Sequence, residues 1–128
     1  MATITEDYVG FETAKLLKEK GFDEEVLAVY IYDSLFVKGE NNIVNTANIP
    51  IILAPTLQMA MKWLREVHKI HIQIWILEEK GYWFDIEKIL NTQYKHKSLY
   101  SSGLEDVYFE SYEETVEAAI KYCLENLI

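Results

Sequence analysis

Residues 55–77 constrain the fold more than any other stretch of the chain. Pro55-Thr56-Leu57-Gln58-Met59-Ala60-Met61-Lys62-Trp63-Leu64-Arg65-Glu66-Val67-His68-Lys69 is followed at once by Ile70-His71-Ile72-Gln73-Ile74-Trp75-Ile76-Leu77. The hydrophobic period changes from about 3.6 to 2 within a few residues, so a helix must run almost directly into a strand. Thr56 after Pro55 is an N-cap candidate. Leu57, Met59, Ala60, Met61, Trp63, Leu64 and Val67 cover a wide apolar arc. Gln58, Lys62, Arg65, Glu66 and Lys69 form a narrow polar stripe, the pattern of a helix buried on more than one side.

The strand has a natural partner in Tyr82 to Lys88. Glu79-Lys80-Gly81 between them suits a three-residue hairpin loop closed by a glycine in a G1 bulge. That loop pairs Ile76 with Phe84 and Ile74 with Ile86 on one face. It pairs Leu77 with Trp83 and Trp75 with Asp85 on the other. Upstream, Phe11 to Lys20 reads as a helix with Gly10 at the N-cap. Lys18-Glu19-Lys20-Gly21-Phe22 is its C-terminal signature. Val26 to Asp33 is a strand by its β-branched and aromatic content, and Leu35-Phe36-Val37 extends it or starts another. Residues 39–42 read as a turn, Ile43-Val44 as a short strand, 45–48 as loop, and Ile49 to Leu53 as an extended edge interrupted by Pro50. Residues 89–103 read as a polar loop, and Val107-Tyr108-Phe109 as a short strand. Ser111-Tyr112-Glu113-Glu114 matches a capping box that opens a helix running to the C-terminus, with Glu117 and Lys121 as an exposed i,i+4 pair. The order is α-β-β-α-β-β-α. It predicts an α+β fold, an antiparallel sheet packed by three helices, in one domain spanning 1–128.

Half of the 128 residues are hydrophobic and 13% are aromatic, enough for a real core and too rich for a disordered chain. The first residues carry no basic segment followed by an apolar core, and no apolar run reaches the length of a membrane span. One cysteine excludes an internal disulfide. These features point to a cytoplasmic protein with no membrane partner. The formal net charge is -9. It is uneven: residues 1–25 carry seven acids and three bases, residues 104–128 seven acids and one base, whereas residues 56–69 carry three bases and one acid.

No residue set compels a catalytic, cofactor or metal assignment. His68, His71 and His96 are the only histidines. His71 shares a sheet face with Asp85 and Glu87, but it alternates with isoleucines as any strand polar residue does. His68 ends a helix, where the terminal carbonyls favour an imidazole. Cys123 lies at the centre of an apolar helical arc, the place of a structural thiol. GxSxG, P-loop, GxGxxG, HExxH and CxxC patterns are absent. The informative surface is the hairpin face bearing Trp75, Leu77 and Trp83. If the helices all pack on the other face, these three form an interface centre with His71, Gln73, Asp85 and Glu87 as its polar border. If a helix covers them, the domain has three layers instead.

Three segments together resemble a family of small uncharacterised proteins of Bacteroides-type bacteria and their phages and prophages. They are Phe11-Glu12-Thr13-Ala14-Lys15-Leu16-Leu17-Lys18-Glu19-Lys20-Gly21-Phe22-Asp23-Glu24, the 54–74 segment, and Ser111 to Ile128. The resemblance implies a phage or mobile-element context and a bacterial cytoplasm. It carries no activity, cofactor or site residue.

The sequence thus leads to a non-enzymatic accessory protein that binds protein, either itself as a homodimer or a host or phage partner. A small nucleic-acid-associated regulator, working through Lys62, Arg65, Lys69 and the Lys95-His96-Lys97 segment, is the second reading, and a small enzyme the third. The overall charge argues against nucleic acid as the main partner, because such binding rests on phosphate neutralisation. The protein is accordingly expected not to shift duplex DNA in a mobility assay at physiological salt. Sub-micromolar binding there, abolished by Lys62→Glu with Lys69→Glu, would reverse the order of the first two readings.

Overall fold

In a computed structural model, which describes residues 3–38, 50–90 and 95–128, the elements follow the order α-β-β-β-α-β-β-β-α. They are α1 (Phe11–Glu19), β1 (Ala28–Ile31), β2 (Ser34–Val37), β3 (Ile51–Leu53), α2 (Leu57–His68), β4 (Ile70–Leu77), β5 (Gly81–Ile89), β6 (His96–Ser101) and α3 (Tyr112–Asn126), with a short 3-10 turn at Gly103–Glu105. The fold is α+β. The strands form two antiparallel sheets of three, in the orders β2-β1-β3 and β4-β5-β6, where the sequence suggested one. The strand, turn and loop readings over 39–49 lie outside the described residues.

The helix-to-strand junction is as tight as the sequence implies. The Thr56 hydroxyl accepts the Met59 N–H at 3.1 Å and caps α2. A single residue, Lys69, links α2 to β4 in the left-handed region with φ 59. Its carbonyl accepts the Ile89 N–H at 2.7 Å, which aligns the end of β5 with the start of β4. At the same corner the Lys88 ammonium donates to the His68 carbonyl at 2.8 Å. Lys88, rather than the His68 ring, thus places a cation on a terminal carbonyl of α2. The His68 ring packs edge-on to Trp63 with centroids 4.8 Å apart, and burial, then the Lys88 charge, pushes its pKa down.

α1 ends in a Schellman motif, with Phe22 N–H bonded to the Leu17 carbonyl at 3.0 Å and Gly21 at φ 93. Phe22 then packs edge-on to Trp63 at 5.4 Å. The segment before α1 is held by Val9 N–H to the Pro55 carbonyl and Leu57 N–H to the Asp7 carbonyl, both near 3 Å. α2 and α3 cover one face of the β4-β5-β6 sheet, and α1 packs against α3 and β3. The core joins Leu17, Leu64, Ile70, Ile86, Ile120 and Leu124, all essentially inaccessible to solvent. Cys123 is fully buried among them, and burial pushes its thiol up to about 12.

Three local readings need correction. Residues 89–103 are not all loop, because His96–Ser101 is strand β6. Polar residues hide it in the sequence, but Tyr100 faces inward and stacks on Tyr122 of α3 at 3.9 Å. Val107 to Phe109 contributes only an isolated bridge, Phe109 to Tyr82. Glu117 does not pair with Lys121. Its Oε1 accepts the Gly10 N–H at 2.6 Å, placing a carboxylate at the N-terminus of α1, and its Oε2 is buried without a partner. α3 thereby satisfies the backbone N–H of the N-cap residue itself, the donor that a capping-box glutamate would take. Glu117→Ala should destabilise the protein by roughly 1–3 kcal/mol in chemical unfolding, because it orphans a partly buried N–H. Lys121→Ala, on the neighbouring turn, should cost much less.

Candidate interaction surface

The hairpin alternation sorts the side chains of β4 and β5 cleanly. Ile70, Ile72, Phe84 and Ile86 are buried beneath α2 and α3. Strand geometry then sends His71, Gln73, Trp75, Leu77, Trp83, Asp85 and Glu87 to the opposite face. The hydrophobic core shared with the helices includes Ile70, Ile72, Ile74, Phe84 and Ile86 but, among the described residues, not Trp75, Leu77 or Trp83.

The register differs from the sequence expectation by two residues. Ile74 lies opposite Phe84, Ile72 opposite Ile86, Trp75 opposite Trp83, Gln73 opposite Asp85 and His71 opposite Glu87. The cause is the turn. It spans Leu77 to Lys80, closed by Lys80 N–H to the Leu77 carbonyl at 3.0 Å, with Glu79 at φ 66; Gly81 has the positive φ the sequence calls for, at 116, but lies just after the turn. Gly81 sits inside the ladder opposite Leu77. Glycine is needed there both for its φ and for space: a Cβ would stand 2.5 Å from the Phe109 carbonyl oxygen, which accepts the Tyr82 N–H. A slip of two leaves every side chain on its face, so the face assignment stands while the pairings change.

The changed pairing creates the central feature of the surface. The indoles of Trp75 and Trp83 stack with centroids 5.9 Å apart and planes 23° apart. Trp75 Nε1 donates to Asp85 Oδ2 at 3.1 Å, fixing its ring. Trp83 is the more covered of the two because the 3-10 turn comes against it. A Cβ on Gly103 would lie 2.8 Å from Trp83 Cε3. Trp75 remains 46% exposed and Leu77 44% exposed. Of the proposed border, Gln73 and Asp85 flank the stack, and Glu87 accepts from or ion-pairs with His96 Nδ1 at 2.8 Å. His71, Gln73, Trp75, Glu87, Ile89, Lys95 and His96 line one shallow hollow of about 500 Å³.

Sequence reasoning misses Ile89, Lys95 and His96 on this face, because it ends β5 at Lys88 and gives 89–103 no strand. It also missed the cover that Gly103 gives Trp83. The only available signal was Leu99-Tyr100 within the polar stretch. Among the described residues no group of three or more His, Cys, Asp or Glu side chains is placed to hold a metal ion. No helix of the described residues is long and apolar enough to cross a membrane. No family model matches the chain, and comparisons with curated proteins and with solved structures give no match.

Gly103→Ala tests the packing beneath the stack. The added methyl must displace the Trp83 ring, so the variant should lose about 1–3 kcal/mol of stability. It should also weaken the near-ultraviolet circular dichroism of the stacked indoles.

Proposed function

We propose that the protein is a non-enzymatic accessory factor that works by binding another protein through the open face of the β4-β5-β6 sheet. The observation that carries this reading is the exposed Trp75 ring, locked by Trp83 and Asp85 and continuous with exposed Leu77. Large apolar side chains held rigid in water, with polar neighbours around them, are the usual anchors of a protein interface. Preorganisation lowers the entropic cost of docking on them. The resemblance to small proteins of Bacteroides-type bacteria and their phages supports a bacterial cytoplasm and a phage or mobile-element setting for that partner.

One observation favours a nucleic-acid-associated regulator as a second reading. Lys69, Lys88, Lys95 and Lys97 converge at one end of the second sheet: Lys88 lies opposite Lys97, Ile89 N–H reaches the Lys69 carbonyl, and Leu90 N–H the Lys95 carbonyl. The mobility-shift experiment above decides between the two.

The leading reading predicts that wild-type protein on a solid support captures a defined partner from host lysate. Trp75→Ala and Leu77→Ser, which alter exposed side chains and should leave the fold intact, would each lower that affinity at least about tenfold, the loss typical of an interface anchor. Undiminished capture by a folded Trp75→Ala/Leu77→Ser protein would refute the assignment of this face.

A further inference from the structure

The free edge of β4 is a separate feature from the sheet face, and it goes beyond the reading above. β4 is the first strand of its sheet, and among the described residues β5 is its one strand neighbour. Among the described residues, the backbone groups on its other side therefore form a row of donors and acceptors with no strand partner. Eight residues long, it is a long edge, and Ile70 to Leu77 contains no Asp, Glu, Lys, Arg or Pro. Proteins normally blunt an edge with charge, proline or a bulge. The opposite edge of the same sheet has these devices: β6 carries Lys97, follows Lys95, and shifts register against Ile86 and Glu87. β4 has none.

The side chains at the far end of β4 point the same way. Trp75 and Leu77 are exposed on the open face, at 46% and 44%. Ile76 is 69% exposed although strand alternation puts it on the helix-covered side. A partner seated on the open face would leave Ile76 in water. A strand added alongside β4 would flank all three at once, since cross-strand neighbours form on both faces.

We propose that β4 pairs antiparallel with β4 of a second copy, joining two three-stranded sheets into one of six. The second copy is chosen because this strand suits itself. A two-fold axis normal to the sheet places residues of equal face opposite each other, and an uncharged strand then brings no like charges together. Keeping the paired residues within the strand and each side chain on its face leaves two centres for the longest pairing, Gln73 and Ile74, and only Ile74 brings all three exposed residues, Trp75, Ile76 and Leu77, into the pairing. Residues 71–77 then meet 77–71 of the other copy. Ile72 faces Ile76 on the helix side, and Gln73 faces Trp75 on the open side.

Light scattering over a concentration series and oxidative cross-linking test this. Wild type should be a dimer. Ile76→Lys alters a side chain that the monomer leaves exposed, and it should be a folded monomer by circular dichroism, with dimer affinity lowered at least about a hundredfold. In a Cys123→Ala background, Ile74→Cys should form an intermolecular disulfide, since opposed antiparallel residues bring their Cα atoms to about 4.5–5.5 Å. Ile76→Cys, about four residues from its own copy across the pair, should not. Should Ile74→Cys fail to fold, hydrogen exchange serves instead: alternate β4 amides should be protected in wild type and released in Ile76→Lys. A wild type that is monomeric throughout the series overturns the proposal. So does a dimer that survives Ile76→Lys but is lost in Trp75→Ala/Leu77→Ser and Trp83→Ala. That last result would assign self-association to the open face. Conversely, loss of the edge dimer with partner capture intact would leave the face reading untouched.

Discussion

The structure depends on the single-residue joint at Lys69. A left-handed residue there turns the chain from α2 into β4 without a loop. Non-glycine side chains adopt that conformation at a steric cost of roughly 1 kcal/mol. The surroundings hold it in place. Ile70, the next residue, is buried, the Lys69 carbonyl takes the last N–H of β5, and Lys88 neutralises the open carbonyl of His68. From this corner the helix sets which face of β4 is inside. That face sets which side of β5 is inside, and so which side of the sheet lies open.

A second tie, Glu117 to Gly10, holds the two terminal helices together. It shows how charge in this protein is used for packing as well as solubility. A carboxylate from α3 stands where α1 begins, so an acid that would merely add to the negative charge instead satisfies a backbone donor. Tyr30 lies in the same region. Its hydroxyl donates to the Val9 carbonyl at 2.8 Å, and burial, followed by the Glu117 charge, pushes its pKa up. The N-terminal segment, β1 and α3 thus meet at polar contacts placed within an apolar core.

Much of this was legible in the sequence where a local rule had no competitor. Thr56, Ser111 and Gly21 each sit at a helix end for a reason of their own chemistry, and the structure places each there. Face assignment in the hairpin was equally legible, because parity survives an error of two in register. What the sequence hid depended on distant partners. The hairpin register turned on Glu79 taking the left-handed turn position, which no residue preference announces, and the close approach of Phe109 to Gly81 joins residues 28 positions apart. β6 is polar along much of its length, and its identity as a strand comes from the ladder with β5 and the stacking of Tyr100 on Tyr122. The Glu117 contact crosses 107 residues. The i,i+4 rule saw only Lys121.

The Lys69 joint also limits how such a chain can change length. Adding one residue within α2 would rotate everything before it by about 100° relative to the strand. Adding one residue to β4 would exchange the core isoleucines for His71, Gln73 and Trp75. With no loop to absorb either change, residues 57–77 behave as one indivisible length of chain. Insertions and deletions in relatives of this protein should therefore fall outside it, and a related sequence can be aligned on this block without a gap.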